Sequence, residues 1–232
     1  MSATALIFFG TVVIYMLLLG IPRYEFGLAG ETDEVGIATG AAVTSAGGDL
    51  LSIEVTIMPG KDDLVLTGQL GDVMQESAVA AISYTRSIID RLKIDEDFFD
   101  KHTIHLHVPA GAVPKDGPSA GVTMAVAIIS AITGIPVRKD VAMTGEINLR
   151  GKLLPIGGLR EKALAARRGG INVFLAPKRN AKDLEEVPDI IKDTLEIKLI
   201  ETIDEALDIA LTKKLTGARR TRKRSTRKVA AD

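Results

Sequence analysis

The chain contains no cysteine and no tryptophan, and only three of its 232 residues are histidines. The lack of cysteine excludes disulfides, thiolate metal sites and a cysteine nucleophile. The histidines, His102, His105 and His107, all lie in one strand-like segment. A metal site on the His-x-His pair would need a third ligand, and none occurs at a suitable spacing. We therefore expect no metal site, and catalytic groups must be sought among other residue types.

The net charge of the chain is close to zero, but its C-terminal tail is strongly basic. The chain has a formal net charge of −1, with 29 Lys/Arg and 30 Asp/Glu. Residues 217–232 hold seven Lys/Arg and one Asp (+6), so the remainder holds 22 Lys/Arg against 29 Asp/Glu (−7). This composition predicts a solvated, disordered basic tail over residues 214–232. Contact of the tail with anionic lipid or nucleic acid is the alternative.

The first 22 residues carry no charge at all. Residues 5–21, ALIFFGTVVIYMLLLGI, are almost entirely apolar, and a helix of about 20 residues spans a bilayer core of roughly 30 Å. No basic residue precedes the run, as a secretory signal would require, and the positive-inside rule keeps the following domain in the cytoplasm. We expect residues 1–22 to anchor a cytoplasmic domain to the membrane through a linker over residues 23–34. The alternatives are a buried helix in a soluble cytoplasmic protein, or the stub of a truncated or fused reading frame.

From residue 35 onward, strand-like and helix-like periods alternate. Three Val-, Ile- and Thr-rich segments, separated by Gly-Gly and Pro-Gly, predict strands within residues 35–68. Residues 71–92 follow a helical period, and we assign its apolar face to Val73, Val79, Ala80, Ile82 and Ile88. The later strands and helices interleave without the regular repeat of a doubly wound sheet. We predict an α/β domain over residues 35–213, with a mixed sheet that has antiparallel parts and packed helices.

One hydroxyl lies where a Gly- and Pro-rich loop turns into a long apolar helix. This is Ser119, in the stretch KDGPSAG of residues 115–121. Gly117 permits a sharp turn, and Pro118 suits the first position of a helix. Ser119 would then lie beside unpaired N–H groups and the positive end of the helix dipole. This position suits an oxyanion formed by serine attack, a bound phosphate or a simple helix cap, and the loop alone leaves all three open.

A serine nucleophile needs a base, and a lysine can serve when burial lowers its pKa. Lys162 lies three residues after Leu159 and four before Ala166 in a predicted helix over residues 159–168. That spacing places Lys162 on the apolar side of the helix. The alternative is that its stem packs along the edge of the core while the ammonium group stays in water.

Four segments together resemble the proteolytic domain of the Lon family of ATP-dependent serine proteases. They are TGQLGDVMQES (67–77), IHLHVPAGAVPKDGPSAG (104–121), VAMTGEINLRGKLLPIGGLREK (141–162) and DLEEVPD (183–189). The resemblance extends over about residues 21–213. It implies the fold of the second domain of ribosomal protein S5.

The resemblance implies a Ser-Lys dyad. By motif position, Ser119 would be the nucleophile and Lys162 the general base of a serine endopeptidase. The enzyme would hydrolyse peptide bonds in unfolded or damaged proteins through an acyl-enzyme. The backbone N–H groups of Ser119 and Ala120 would hold the oxyanion.

The same resemblance supplies four further residues near the site. Thr144 matches the threonine that hydrogen-bonds near the catalytic lysine. Asp116, His105 and His107 occupy other motif positions close to the site, and we assign them no catalytic step.

The family uses ATP and Mg²⁺ through an ATPase module, and this sequence contains no G-x-x-x-x-G-K-S/T motif. Gly60-Lys61 is followed by Asp62 in place of a helix-opening Ser or Thr. We therefore expect no cofactor in this chain, with a separate ATPase as a candidate partner. The resemblance also implies a homo-oligomer in the form of a six-membered ring.

Two other classes of function stay open. One is a non-catalytic or remnant module that uses the fold for assembly or partner binding. The other is a small-molecule kinase, whose phosphate-binding loop resembles GPSAG. A kinase would leave Lys162 unexplained and would need a second glycine-rich segment.

Overall fold

The computed structural model describes residues 30–45, 47–109 and 115–215. The apolar run of residues 5–21 and the tail from residue 216 lie outside these ranges, so the anchor and the basic tail stay predictions. Within the described ranges, no helix has both the length and the apolar character that crossing a bilayer requires.

The strands and helices follow the order that the sequence predicts. The strands of the described residues are β1 (Ile37–Thr44), β2 (Gly47–Pro59), β3 (Asp63–Thr67), β4 (His102–His107), β5 (Val141–Met143), β6 (Glu146–Ile147), β7 (Leu153–Leu154), β8 (Val173–Pro177) and β9 (Glu196–Ile200). The α-helices are α1 (Asp72–Ser87), α2 (Ile89–Leu92), α3 (Phe98–Lys101), α4 (Gly121–Thr133), α5 (Leu159–Arg168), α6 (Asp189–Lys192) and α7 (Ile203–Ala210). Short 3₁₀ segments cover Pro118–Ala120 and Lys178–Glu186.

A mixed sheet forms the centre of the described residues, with the strand order β3-β4-β2-β1-β5-β8-β9. β2 pairs antiparallel with both β1 and β4. The other pairs of this sheet are parallel, and β5, β8 and β9 each follow helical segments, because a parallel return to a sheet needs a long crossover. β6 and β7 form a separate antiparallel pair. The predicted mixed α/β fold with antiparallel parts is confirmed.

Two hydrophobic clusters cover the sheet. The larger one joins buried side chains of α1, α4 and α7 to the sheet, and the smaller one joins α5 to Ala142 and Phe174. Eleven of the thirteen residues of α4 are buried, as expected for a helix that is apolar on all sides and runs through a core. The helix that follows Ser119 is therefore rigidly packed along its length.

The predicted apolar face of α1 is wrong in part. Val73 and Val79 are 41% and 53% exposed, whereas Ser77, Ala78 and Ala81 are buried. Small side chains let a helix approach its neighbour closely, and α1 packs against α4. Packing therefore selected the stripe of small residues, although the valines are more hydrophobic. The predicted single helix over residues 71–92 is also interrupted, at Ile88.

Candidate active site

Ser119 lies in the 3₁₀ turn Pro118–Ala120, which leads directly into α4. Gly117 precedes it with φ of 132°, a conformation that side chains other than glycine's rarely adopt. The Ser119 carbonyl accepts hydrogen bonds from the Gly145 N–H at 2.7 Å and from the Thr144 hydroxyl at 3.3 Å. The backbone of Ser119 is thus bound to the segment that follows β5, at the N-terminal end of α4.

Lys162 lies in the first turn of α5, which begins after the N-cap Gly158. It is buried, with 3% of its surface exposed. Its Nζ atom lies 3.0 Å from Ser119 Oγ and 3.1 Å from Thr144 Oγ1. The fold therefore brings Lys162 together with Ser119, 43 positions earlier in the chain, and with Thr144, 18 positions earlier.

Burial lowers the pKa of Lys162 from 10.5 to about 8. The amine has lost water, and the groups within hydrogen-bond distance of it are hydroxyls, which do not neutralise a positive charge. A pKa of about 8 leaves roughly a tenth of the amine neutral at pH 7. A neutral amine has a lone pair and can accept a proton.

The position of α5 depends on close backbone contact with the β1–β2 hairpin. A Cβ atom on Gly48 would lie 1.9 Å from the Glu161 carbonyl oxygen, so only glycine permits this approach. The Arg168 guanidinium, at the other end of α5, donates to the Gly48 carbonyl at 2.6 Å. The hairpin thus fixes the helix that carries Lys162.

A cleft of about 430 Å³ opens at the Ser119–Lys162 pair. Its volume falls within the range of ligand-binding clefts. Two carboxylates, Asp116 and Glu146, share the lining with the pair. The rest of the wall is apolar or backbone and consists of Ala42, Val43, Pro118, Pro155, Ile156, Gly157 and Gly158.

Asp116 connects the serine loop to the start of α1. Its Oδ1 atom accepts hydrogen bonds from the N–H groups of Met74 at 3.0 Å and Gly117 at 2.9 Å. Met74 lies in the first turn of α1, so Asp116 caps this helix from a different segment. A Cβ atom on Gly71 would lie 2.5 Å from Asp116 Cγ, so glycine makes room for the cap.

His105 and His107 contact a neighbouring strand and do not line the cleft at the Ser119–Lys162 pair. Both rings contact the Thr67 hydroxyl of the neighbouring strand β3, His105 Nε2 at 2.9 Å and His107 Nδ1 at 2.7 Å. Neither ring belongs to the described lining of the cleft. In the sheet, β2 lies between their strand, β4, and β1, and both β2 and β1 lie between β4 and β5. Within the described ranges, no group of three or more His, Cys, Asp or Glu is arranged to hold a metal ion.

Three further residues at the site were missed in the sequence. Glu146 lines the cleft, the Ser77 hydroxyl donates to the Pro118 carbonyl at 3.3 Å, and the Asn180 side chain binds the backbone of Ile156. Ser77 could have been found from its place in the small-residue stripe of α1. Asn180 lies in a polar stretch and has no distinguishing local pattern.

Comparisons with known proteins identify the family of this chain. The model of the Lon protease (S16) C-terminal proteolytic domain matches residues 14–213, a range that begins inside the apolar run. Lon protease 2 of Desulfotalea psychrophila is 60% identical over 196 residues, which cover 84% of this chain and 25% of that protein. Lon protease of Brevibacillus choshinensis is 56% identical over 200 residues, 86% of this chain and 26% of that protein.

A third relative, Lon protease of Haemophilus influenzae, is 58% identical over 193 residues, 83% of this chain and 24% of that protein. The chain thus spans about a quarter of the length of the curated relatives that it matches. The family resemblance predicted from the four sequence segments is confirmed. This chain belongs to the family of Lon protease C-terminal proteolytic domains.

Proposed function

We propose that this chain is a serine endopeptidase in which Ser119 and Lys162 form the catalytic dyad. The observation that carries the proposal is the 3.0 Å distance between Lys162 Nζ and Ser119 Oγ. Nucleophile and base must lie within this reach for the base to take the proton. Burial lowers the pKa of Lys162 to about 8, which favours the neutral form that a general base needs.

Thr144 sets the direction of the proton transfer. Its hydroxyl donates to the Ser119 carbonyl at 3.3 Å, so its oxygen is left to accept an N–H from Lys162 at 3.1 Å. A neutral amine that gives one N–H to Thr144 can turn its lone pair toward Ser119 Oγ. The Ser119 hydroxyl then donates its proton to Lys162.

The reaction proceeds through an acyl-enzyme. As Ser119 Oγ bonds to the scissile carbonyl carbon, its proton passes to Lys162 Nζ, and the carbonyl oxygen becomes an oxyanion. The N–H groups of Ser119 and Ala120, at the N-terminal end of α4, are the proposed donors to this oxyanion. The Lys162 ammonium then protonates the leaving amine as the C–N bond breaks. Water, deprotonated by the neutral amine, releases the acyl group and restores Ser119.

The proposed substrates are peptides and unfolded proteins. The matched relatives are named Lon proteases, and their names support cleavage of proteins. The cleft has room for a segment of chain, not for a folded domain. The proposed hydrolysis of short peptides needs only Ser119, Lys162 and water, so we propose that it does not require ATP. A homo-oligomeric ring and a separate ATPase partner remain proposals from the family.

Peptide hydrolysis with and without ATP tests this function. We expect the wild-type chain to cleave a fluorogenic peptide, and the Ser119→Ala and Lys162→Ala variants to lose cleavage. Lys152→Ala, which removes an exposed lysine, is the matched control and should retain it. A fluorophosphonate or peptidyl boronate should react with the wild type and not with Ser119→Ala. A correctly folded wild type that neither cleaves nor reacts would support the non-catalytic module instead.

A further inference from the structure

Asn180 is a buried amide outside the dyad. It is 1% exposed and lies in the 3₁₀ segment Lys178–Glu186, which packs against α5. Among the described residues it is the only asparagine or glutamine that is buried; the other buried polar side chains are Ser77, Thr85, Thr123, Ser130, Thr144 and Lys162. An amide buried at this depth is costly unless its donors and acceptor are paired.

The Asn180 side chain binds both backbone groups of one residue. Its Oδ1 atom accepts the Ile156 N–H at 3.0 Å, and its Nδ2 atom donates to the Ile156 carbonyl at 2.7 Å. The second N–H of Nδ2 is directed to the Asp183 carboxylate at 2.5 Å. Asp183 therefore orients the amide, and the amide holds the backbone of Ile156.

Ile156 lies in the segment that joins β7 to α5. This segment, residues 155–158, forms one wall of the cleft. Gly158 is the N-cap of α5, and its carbonyl accepts the Lys162 N–H at 3.1 Å. The Asn180 contact thus lies two residues before the cap of the helix that carries the proposed base.

The Ile156 side chain packs against the smaller hydrophobic cluster, but few hydrogen bonds hold the backbone of this segment. Pro155 has no N–H, and a Cβ atom on Gly157 would meet no atom within 4 Å. Within the described ranges, Asn180 is the only side chain that hydrogen-bonds residues 155–157. Glycine at positions 157 and 158 also leaves the backbone conformationally free unless it is bound.

We propose that Asn180 is a positioning residue for proteolysis. By holding the Ile156 backbone, its amide keeps the cleft wall and the first turn of α5 in place, so that Lys162 Nζ stays at Ser119 Oγ. Asn180 itself does not line the cleft and acts only through Ile156. This inference rests on the proposed Ser119–Lys162 function.

The test compares two chemically equal substitutions. Asn180→Asp keeps an acceptor for the Ile156 N–H, removes the donor to the Ile156 carbonyl and places a second carboxylate beside Asp183. Asn172→Asp is the matched control, because the exposed Asn172 amide also donates to an aspartate, Asp140, at 3.5 Å. We expect Asn180→Asp to lower kcat/KM for a fluorogenic peptide about 10- to 100-fold, as a displacement of about 1 Å does. Asn172→Asp should change it less than twofold.

The double variant Asn180→Asp/Asp183→Asn separates positioning from stability. It removes the carboxylate repulsion and restores a donor toward residue 180, so the midpoint of thermal unfolding should return toward the wild-type value. The Ile156 carbonyl still has no donor, so kcat/KM should stay at least about fivefold below wild type.

The pH midpoint of kcat/KM should also rise in Asn180→Asp, because a loosened α5 admits water to Lys162.

Two outcomes would overturn the inference. One is wild-type kcat/KM in a folded Asn180→Asp variant, and the other is recovery of kcat/KM in step with stability in the double variant. Absence of cleavage in the wild type would instead reject the proposed function. The reference assay therefore distinguishes the two failures.

Discussion

Lys162 holds its amine between the hydroxyls of Ser119 and Thr144, with 3% of its surface exposed. For stability alone this arrangement is unfavourable, since a buried ammonium group without a carboxylate partner loses more hydration than two hydroxyls return. The same loss lowers the pKa of Lys162 to about 8 and favours the neutral amine that the proposed general base requires. At the scale of single residues, function and stability therefore make opposite demands on one side chain.

The first prediction is a pH dependence of peptide cleavage. Only the neutral amine can accept the Ser119 proton, so kcat/KM should rise about tenfold per pH unit below about pH 8 and level off above it. Asp116 and Glu146 are the other ionisable groups that line this cleft in the described residues. A pH profile of kcat/KM measures the midpoint. A flat profile between pH 6 and pH 9 would contradict the role of Lys162.

The second prediction concerns the Thr144 hydroxyl. Thr144→Val keeps the shape of the side chain and removes the acceptor for Lys162 and the donor to the Ser119 carbonyl. We expect kcat to fall about 10- to 100-fold, because Lys162 can then turn its lone pair away from Ser119. Steady-state kinetics on a peptide measures the loss. The exposed Thr212→Val is a control that should leave kcat unchanged, and equal kinetics in both variants would reject the orienting role.

At the scale of secondary structure elements, close backbone approaches position the site. The β1–β2 hairpin touches α5 at Gly48, the start of α1 touches the serine loop at Gly71, and α5 begins at Gly158 with φ of 68°. Each contact needs a residue without a side chain. Hydrogen bonds from Arg168 and to Asp116 then hold the elements at these distances.

The third prediction tests the contact at Gly48. In Gly48→Ala the new Cβ would lie 1.9 Å from the Glu161 carbonyl, so α5 must move and carry Lys162 with it. We expect kcat/KM to fall about 100-fold for a shift near 1 Å. Gly30→Ala is the control, because its Cβ would lie at an ordinary 3.6 Å from the Thr32 carbonyl. Full activity in a folded Gly48→Ala variant would show that α5 does not depend on this contact.

The fourth prediction tests the cap on α1. Asp116→Ala removes the acceptor of the Met74 N–H, and loss of a helix cap costs about 1 kcal/mol. Urea denaturation should show a free energy of unfolding lower by about this amount. Asp95→Ala, an exposed aspartate elsewhere on the surface, serves as the control. A difference below the error of the measurement would exclude the capping role.

At the scale of the whole molecule, the site is assembled by the central sheet and its two layers of helices. Ser119 lies in the 3₁₀ turn just before α4, which packs in the larger cluster, and Lys162 lies in α5, which packs in the smaller cluster. Thr144, at the end of β5, lies between them. A buried ionisable group at this junction links its protonation to the folding of the whole chain.

The fifth prediction is a pH dependence of folding stability. The pKa of Lys162 is about 8 in the folded chain and 10.5 as an ordinary lysine, so between these values the unfolded chain binds more protons. The free energy of unfolding should therefore rise with pH through this window, by up to about 3 kcal/mol, and should be lower below pH 8. Lys162→Met lacks this group, and urea denaturation of both proteins isolates the contribution. Equal pH dependence in the two would contradict it.

The sequence predicted much of the fold because its local signals agree with its tertiary structure. The helix predicted over residues 159–168 matches α5. The apolar face of this helix, on which Lys162 lies, is the buried face. The serine loop was also predicted, because Gly117 and Pro118 have conformational preferences that act locally. The face of α1 was not, since that face depends on the shape of α4 and not on the hydrophobicity of Val73 or Val79.

By themselves, the residues of this chain determined its elements, its family and the identity of a serine and a lysine in two specific motifs. Local preferences and motif order are properties of the chain itself, so they can be read without coordinates. The distance of 3.0 Å between Lys162 Nζ and Ser119 Oγ, the contacts of His105 and His107 with Thr67, and the hydrogen bonds of Asn180 with Ile156 come from the folded structure alone. These contacts join residues distant in sequence, and their geometry depends on how sheet and helices pack, which no local pattern encodes.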